Sequence, residues 1–157
     1  MERSPSVHVR DYRPDDLAAV LDIYLRAIRE SAVRDYSLGQ VNAWAQADPE
    51  LWAVARRSRP TWVAEVDGVI VGWTDLEANG HLDMLFVSPD YGRRGIATLL
   101  VEHVIRAARD QQLPCIFVEA SITARPVFQR AGFLVVVEQQ VSVRGERLTN
   151  YRMEKQL

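Results

Sequence analysis

Val87-Ser88-Pro89-Asp90-Tyr91-Gly92-Arg93-Arg94-Gly95-Ile96-Ala97-Thr98-Leu99-Leu100 runs from an apolar β-type segment, through a polar loop with two glycines, into a helix. The first turn of a helix carries unpaired N–H groups and the positive end of the helix dipole, so it favours an anion. Gly95 and Ala97 remove side-chain bulk, which lets a phosphate approach the backbone, and Arg93 and Arg94 add mobile positive charge. On physical grounds the loop is a phosphate or pyrophosphate cradle. The same residues also fit an ordinary glycine-containing βα turn with two solvated arginines. Three other motifs are missing from the chain: Gly-x-x-x-x-Gly-Lys-Ser/Thr, Gly-x-Gly-x-x-Gly and Gly-x-Ser-x-Gly. Their absence argues against a Walker-type NTPase, a dinucleotide fingerprint and a serine-hydrolase elbow. The three histidines show no metal-ligand spacing, so no metal is expected.

Outward from this loop the hydrophobic period changes several times. Upstream, Val7 to Arg10 reads as a short strand. Pro14-Asp15-Asp16 opens a helix in which Leu17, Val20, Leu21, Tyr24, Leu25 and Ile28 form one stripe. Leu38 to Ala47 and Pro49 to Arg57 read as shorter helical pieces. Thr61 to Val66 and Val69 to Leu76 alternate as strands around Asp67-Gly68, a two-residue hairpin signal, and Asn79-Gly80 leads into a third strand from His81 to Val87. Downstream, the helix bearing Ile96, Leu99, Leu100, Val104, Ala107 and Ala108 precedes a strand from Pro114 to Ala120. A strand reached across a helix is expected parallel to the one before it. A short helix from Ala124 to Arg130 stops at Gly132, and a final hairpin joins Phe133–Val143 to Glu146–Met153 around Arg144-Gly145. The order is βααβββαβαββ, a mixed α/β sheet that is mostly antiparallel with one parallel crossover.

The chain has 157 residues, which suits a single domain with its own core. Hydrophobic residues make up 48% and charged residues 25%, which excludes disorder and low complexity as whole-chain readings. With 19 basic and 21 acidic residues the net charge is −2, so there is no electrostatic footprint for nonspecific nucleic-acid binding. The single cysteine, Cys115, excludes an internal disulfide and reads as a small buried hydrophobe. The N-terminus carries Arg3, His8 and Arg10 without an apolar run, and no segment approaches a membrane span. These features lead to the expectation of a cytoplasmic, soluble protein without membrane partners.

The run from Leu85 to Leu100 resembles motif A of the GCN5-related N-acetyltransferases, the GNAT superfamily, written Gln/Arg-x-x-Gly-x-Gly/Ala. Gly95 and Ala97 match its last two fixed positions, and Ala131-Gly132-Phe133 resembles the family's Gly-Phe ending after a short helix. The element order is also the GNAT order, so the resemblance covers essentially the whole chain. It implies a sheet splayed between the fourth and fifth strands, with acetyl-CoA as cosubstrate in the gap. The amides of Arg93, Arg94, Gly95, Ile96, Ala97 and Thr98 would take the pyrophosphate. Leu85, Phe86 and Val87 would border the pantetheine, with Phe86 and Val87 at a bulge pairing with it like an extra strand. Three positions depart from the pattern. Gly92 stands where the motif has Gln or Arg. Ser121 replaces an Asn that many members carry after the fifth strand, and its hydroxyl can still bond the pantetheine arm. Phe128 stands where many members have the Tyr that protonates the leaving thiolate.

The implied reaction is direct acetyl transfer to an amine on a small molecule or a protein. An alkylamine is mostly protonated at neutral pH, since its pKa is about 10, so a base must take a proton. The fourth strand, where several relatives place that base, has His81 and Asp83 on one face if period two holds. Glu119 shares a face with Ser121 and is a second candidate. Tyr151, near the end of the last strand, is the replacement acid that the sequence suggests, with Tyr36 as a rival. Trp44 and Trp52 fit either an acceptor pocket or the core, and His103 fits packing on the long helix. The chain is also compatible with a homodimer. The rival readings are a noncatalytic acyl-CoA-binding regulatory module, which Phe128 favours, and an unrelated phosphate-binding α/β domain.

Overall fold

A computed structural model describes residues 6–157. The Arg3 of the N-terminal reading lies outside them. Twelve elements carry the fold in this order: β1 (His8–Asp11), α1 (Leu17–Arg26), α2 (Leu38–Trp44), α3 (Pro49–Ser58), β2 (Thr61–Val66), β3 (Val69–Asp75), β4 (Leu85–Val87), α4 (Ile96–Asp110), β5 (Cys115–Ser121), α5 (Arg125–Arg130), β6 (Leu134–Val143) and β7 (Glu146–Gln156). Three helices, rather than two, separate β1 from β2. Each short one has a sequence-encoded start. Ser37 and Gln40 form a reciprocal capping box for α2, and Asp48 accepts the amides of Glu50 and Leu51 ahead of α3. Helix α1 runs on into a wide π turn, Ala27–Ser31, that nothing in the sequence pattern signals.

The strands form two antiparallel sheets, β1-β2-β3-β4 and β5-β7-β6. The hairpin turns match their sequence signals, because Asp67-Gly68 and Arg144-Gly145 all have positive φ, the geometry two-residue hairpins require. Helix α4 packs on β3 at Gly72, where a Cβ would lie 3.1 Å from Ile96 and 3.2 Å from Leu100. One apolar cluster, including Leu82, Val104, Ile116, Phe128 and Met153, lies between the sheets and the α4–α5 side. A second, including Ile23, Ile28, Val41, Trp73 and Leu148, fills the opposite side under α1 and α2. Both clusters draw residues from the two sheets, so burial holds the halves together where the backbone ladder does not. No helix among the described residues is long and apolar enough to cross a membrane.

The strand read from His81 to Val87 is only partly a strand. Its ladder with β3 covers Leu85 to Val87, and His81 forms one isolated parallel bridge with Phe117 of β5. The reason is a buried carboxylate. Asp75 Oδ1 accepts the amides of Asp83 (3.0 Å) and Met84 (2.9 Å), and the Thr74 hydroxyl donates to the Met84 carbonyl (2.8 Å). Side chains thus take the backbone groups that a continuous ladder would use. The other Asp75 oxygen accepts from Arg56 at 2.9 Å, and both side chains are almost fully buried. The Arg56 guanidinium also lies 4.7 Å from the centre of the Trp73 ring. Burial pushes the Asp75 carboxyl pKa up, against the opposing pull of Arg56 and the Met84 amide.

Removing one partner of a buried pair leaves an uncompensated charge, so Arg56→Leu should cost about 3–5 kcal/mol, read from urea denaturation. The double variant Arg56→Met, Asp75→Leu should recover only part of that loss, because the Asp83 and Met84 amides lose their acceptor. Wild-type stability in the double variant would show that Asp75 does not hold this segment.

Candidate active site

The two sheets part between β4 and β5. Near His81 they are joined, with Leu82 donating to the Phe117 carbonyl and Phe117 donating to the Gly80 carbonyl, both at 3.0 Å. Gly80 is required here, since its φ is +94° and a Cβ would lie 2.6 Å from the Cys115 carbonyl oxygen. Further along, β4 stays with β3 while β5 leaves with β7. The wedge between them holds two adjoining cavities of about 270 Å³ and about 890 Å³. Both are bounded by Trp44, Leu85, Phe86, Ser121 and Ala124, so they meet at the mouth of the wedge.

The open edge of β4 follows from its register. Ser88 donates to the Val71 carbonyl (2.8 Å), and Phe86 is paired with Trp73. Antiparallel alternation therefore turns the Phe86 backbone toward β3 and the Leu85 and Val87 backbones toward the cleft. The β3–β4 register is regular, so the bulge expected at Phe86 and Val87 is absent. The departure of β5 frees the edge instead. The Phe86 side chain packs against Tyr24 and Trp73, with ring centroids at 4.9 Å and 5.8 Å.

The larger cavity is bounded by the loop that the sequence marks as a candidate phosphate cradle. Arg93 and Gly95 both have positive φ, and no side chain caps α4. The first helical bond there is from the Leu99 amide to the Gly95 carbonyl, at 3.0 Å. The Ile96, Ala97 and Thr98 amides therefore lie in the orphan first turn. Among the cradle residues, Arg93, Gly95, Ile96, Ala97 and Thr98 border the cavity, while Arg94 instead stacks its guanidinium 5.1 Å from the centre of the Tyr91 ring. The loop is braced from α1, where Arg26 bonds both oxygens of Asp90 at 3.1 Å. Arg34 and Arg130 add cations to the wall, and the π turn contributes Glu30 and Ser31. Only folding brings these four beside the cradle.

The smaller cavity holds the chemistry-bearing side chains. Asp83, Glu119, Ser121 and Phe128 all border it, as do Tyr24 and Tyr36. His81 does not border it and is not free to act as a base. Its Nδ1 lies 2.7 Å from Glu77, its Nε2 lies 2.5 Å from Glu119, and its ring stacks on Phe117. Burial alone would lower its pKa, but the bonds to Glu77 and Glu119 and the nearby charge of Asp83 outweigh it, and the ring titrates above its ordinary value. Arg59 extends the chain, contacting Glu77 at 3.3 Å and Asp83 at 3.1 Å. His81 and Asp83 were expected side by side on one strand face. Residues 82–84 are not a strand, yet the two side chains stay close, within one ion-pair cluster that also holds Glu77 and Arg59. Glu77, His81 and Asp83 bring ligand-type atoms within 4.8 Å of one another, but Arg59 supplies the positive charge among them.

Tyr151 does not reach either cavity among the described residues. It pairs with Ala120, whose side chain faces the α4–α5 side, and its ring packs there under the Arg125 guanidinium at 4.6 Å. Its neighbour Asn150 does border the smaller cavity, and the Asn150 Oδ1 atom is buried without a hydrogen-bond partner. The two phenols in the wall are weak acids. Burial pushes Tyr24 up to about 12 and raises Tyr36 as well. The Tyr36 hydroxyl donates to the Thr149 carbonyl (2.6 Å) and accepts the Ile122 amide (2.9 Å). Ser121 accepts the Ala124 amide at 3.0 Å, and its own hydrogen has no partner among the described residues. Phe128 is fully buried against Phe133. Trp44 borders both cavities, Trp52 packs on Tyr24 in the core, and His103 packs on Trp62 with its pKa lowered by burial.

Residues 32–155 match the family model of the acetyltransferase (GNAT) domain. The chain is 36% identical to the uncharacterized N-acetyltransferase YafP of Escherichia coli K12, over 94% of this chain and 95% of that protein. It is 26% identical to the E. coli K12 peptidyl-lysine N-acetyltransferase YiaC, over 82% and 84% of the two chains. A crystal structure from Rhodopseudomonas palustris, described as a GCN5-related N-acetyltransferase of the aminotransferase class-II kind, is 32% identical. It covers 100% of both chains with a TM-score of 0.93. The family match, these similarities and the wedge between β4 and β5 agree: the chain belongs to the GNAT family of acetyltransferases.

Proposed function

We propose that the chain moves the acetyl group of acetyl-CoA directly onto an alkylammonium acceptor, with Glu119 taking the proton. The observation that carries this reading is the junction of the two cavities. The open β4 edge and the α4 cradle bound one side, and two carboxylates, Asp83 and Glu119, face the other. Acetyl-CoA supplies an activated thioester. The free amides of α4, with Arg93, suit its pyrophosphate, and the Leu85 and Val87 backbones suit the amides of its pantetheine arm. Asn150 fits the same purpose, as a buried acceptor still lacking a donor, and offers across the Ser121 pairing an amide of the kind many relatives carry on β5.

The acceptor arrives as a cation. Asp83 and Glu119 attract it, and the aromatic wall of Tyr24, Trp44 and Phe86 strips its water. Glu119, directly or through one water, then takes a proton so that the neutral amine can attack. Phe128 leaves the thiolate without a phenol. With a thiol pKa of about 8.5 the thiolate is a fair leaving group, and the Ser121 hydrogen, unpartnered among the described residues, is a hydroxyl donor in the wall. The relative named for peptidyl-lysine acetylation makes a lysine ε-amine the first acceptor to assay. Dependence on acetyl-CoA, a metabolite made and used inside cells, together with the single unpaired cysteine, supports a cytoplasmic location.

Two measurements test this. Ala97→Asp places a carboxylate at the pyrophosphate cradle, where helix-dipole physics preserves or raises stability. Its CoA affinity should fall by about tenfold or more in titration calorimetry while Tm holds. Unchanged affinity would remove the cradle assignment. Glu119→Gln should lower kcat by about 10²–10⁴-fold with acetyl-CoA affinity intact, whereas Asp83→Asn should act mainly on the acceptor KM. CoA binding with no turnover on lysine peptides or a broad amine panel would favour a binding module instead.

A further inference from the structure

The ion pairs around His81 form one continuous chain: Glu119, His81, Glu77, Arg59, Asp83. Its two ends are the two carboxylates that border the smaller cavity. Next to Glu119 in it stands His81, whose side chain is about one-sixth exposed and held flat against Phe117 with a ring-centroid distance of 4.8 Å. Arg152 of β7 stacks on Phe117 as well, 4.4 Å from its centre, and pairs in register with Glu119. The charged groups facing His81 are therefore Glu77 and Asp83 from its own segment and Glu119 from β5. Arg59 and Arg152 stand one residue further out. Both ring nitrogens lie at hydrogen-bond distance from carboxylate oxygens, and only the doubly protonated ring can donate to both.

We infer that His81 is a positioning residue, a fixed imidazolium pinned between Glu77 and Glu119 that holds one Glu119 oxygen and leaves the other for the acceptor. This rests on the transfer reading above and reassigns His81 from candidate base to support. In the step it serves, an ammonium N–H bond breaks and its proton passes to the free Glu119 oxygen. The nitrogen lone pair forms the new C–N bond, and the C–S bond breaks with its electron pair leaving on sulfur. Of the two protons that nitrogen loses, one ends on the thiolate and one in solvent, so Glu119 is regenerated. His81 keeps both of its protons throughout.

The sign of the pH dependence separates support from base. A supporting imidazolium works only while protonated, so its advantage is complete at low pH and fades as pH rises through its own titration. A base works only when neutral, so its advantage grows with pH. His81→Gln keeps one donor but cannot carry the charge. Its kcat should be about tenfold below wild type at the acid end of the profile, with acetyl-CoA affinity unchanged. The wild-type to variant ratio should then fall toward one at alkaline pH. Glu77→Gln removes the far carboxylate without touching the cavity, and should move the fall to lower pH. A ratio that climbs with pH would overturn the inference. Ring ¹⁵N shifts of His81, assigned against His81→Gln, give a readout that needs no acceptor. Their midpoint should lie above that of His103 and drop in Glu77→Gln. A His81 ring that loses its proton before His103 does would end the inference, even if transfer to amines is demonstrated. Absence of turnover with a high His81 midpoint would instead count against the transfer reading.

Discussion

The carboxylate of Asp75 is the constraint on which the rest of the site depends. It lies at the end of β3, out of contact with water, and serves three donors: the Arg56 guanidinium and the amides of Asp83 and Met84. A buried carboxylate is costly unless nearly every lone pair is used. Satisfying it forces the chain between Gly80 and Leu85 out of the β3 ladder. That segment then pairs with β5 at one point, through His81 and Phe117, before β4 returns to β3. The sheet divides where this exchange happens, and the wedge is its geometric consequence.

A wedge made this way presents unlike walls. On the β4 side are backbone groups without partners and the orphan amides of α4, which suit a ligand that carries its own amides and phosphates. On the far side are side chains from loops and helices distant in sequence. Asp83 and Glu119 put negative charge beside aromatic surface, so an ammonium can be attracted and then desolvated in the same small space. Arg26 of α1 bonds both oxygens of Asp90 and so braces the loop ahead of α4.

Proton handling is where this chain differs most from the motif it resembles. Phe128 presents a hydrocarbon face, and the two phenols in the wall are raised in pKa by burial, with their hydroxyls bonded to main-chain carbonyls. Glu119, Ser121 and Asn150 border the smaller cavity from β5 and β7, and among the described residues the Ser121 hydrogen and the Asn150 Oδ1 have no partner. In the segment ahead of β4, His81 and Asp83 are both held in ion pairs.

The strand sequence along the chain, the Asp67-Gly68 and Arg144-Gly145 turns, the glycine loop ahead of α4 and the Gly-Phe ending were legible in the amino-acid sequence, because each is local. Asp67-Gly68 needs only its own backbone preference, and Gly95-Ile96-Ala97 needs only to begin a helix. The common face of Glu119 and Ser121 was legible for the same reason, since a strand keeps period two wherever it is placed. The sequence could not disclose that His81 to Met84 would lose its strand. Its apolar alternation is genuine, and only the arrival of Asp75 and Thr74 from the neighbouring strand overrides it. Nor could it show that β7 would run between β5 and β6, turning Tyr151 away and Asn150 inward, because a one-residue change of register exchanges the two faces. The acidic character of the cavity was hidden by a net charge near zero. Charge becomes a site only when residues as far apart as Arg59, Glu77 and Glu119 are brought within contact distance, and tertiary packing alone does that.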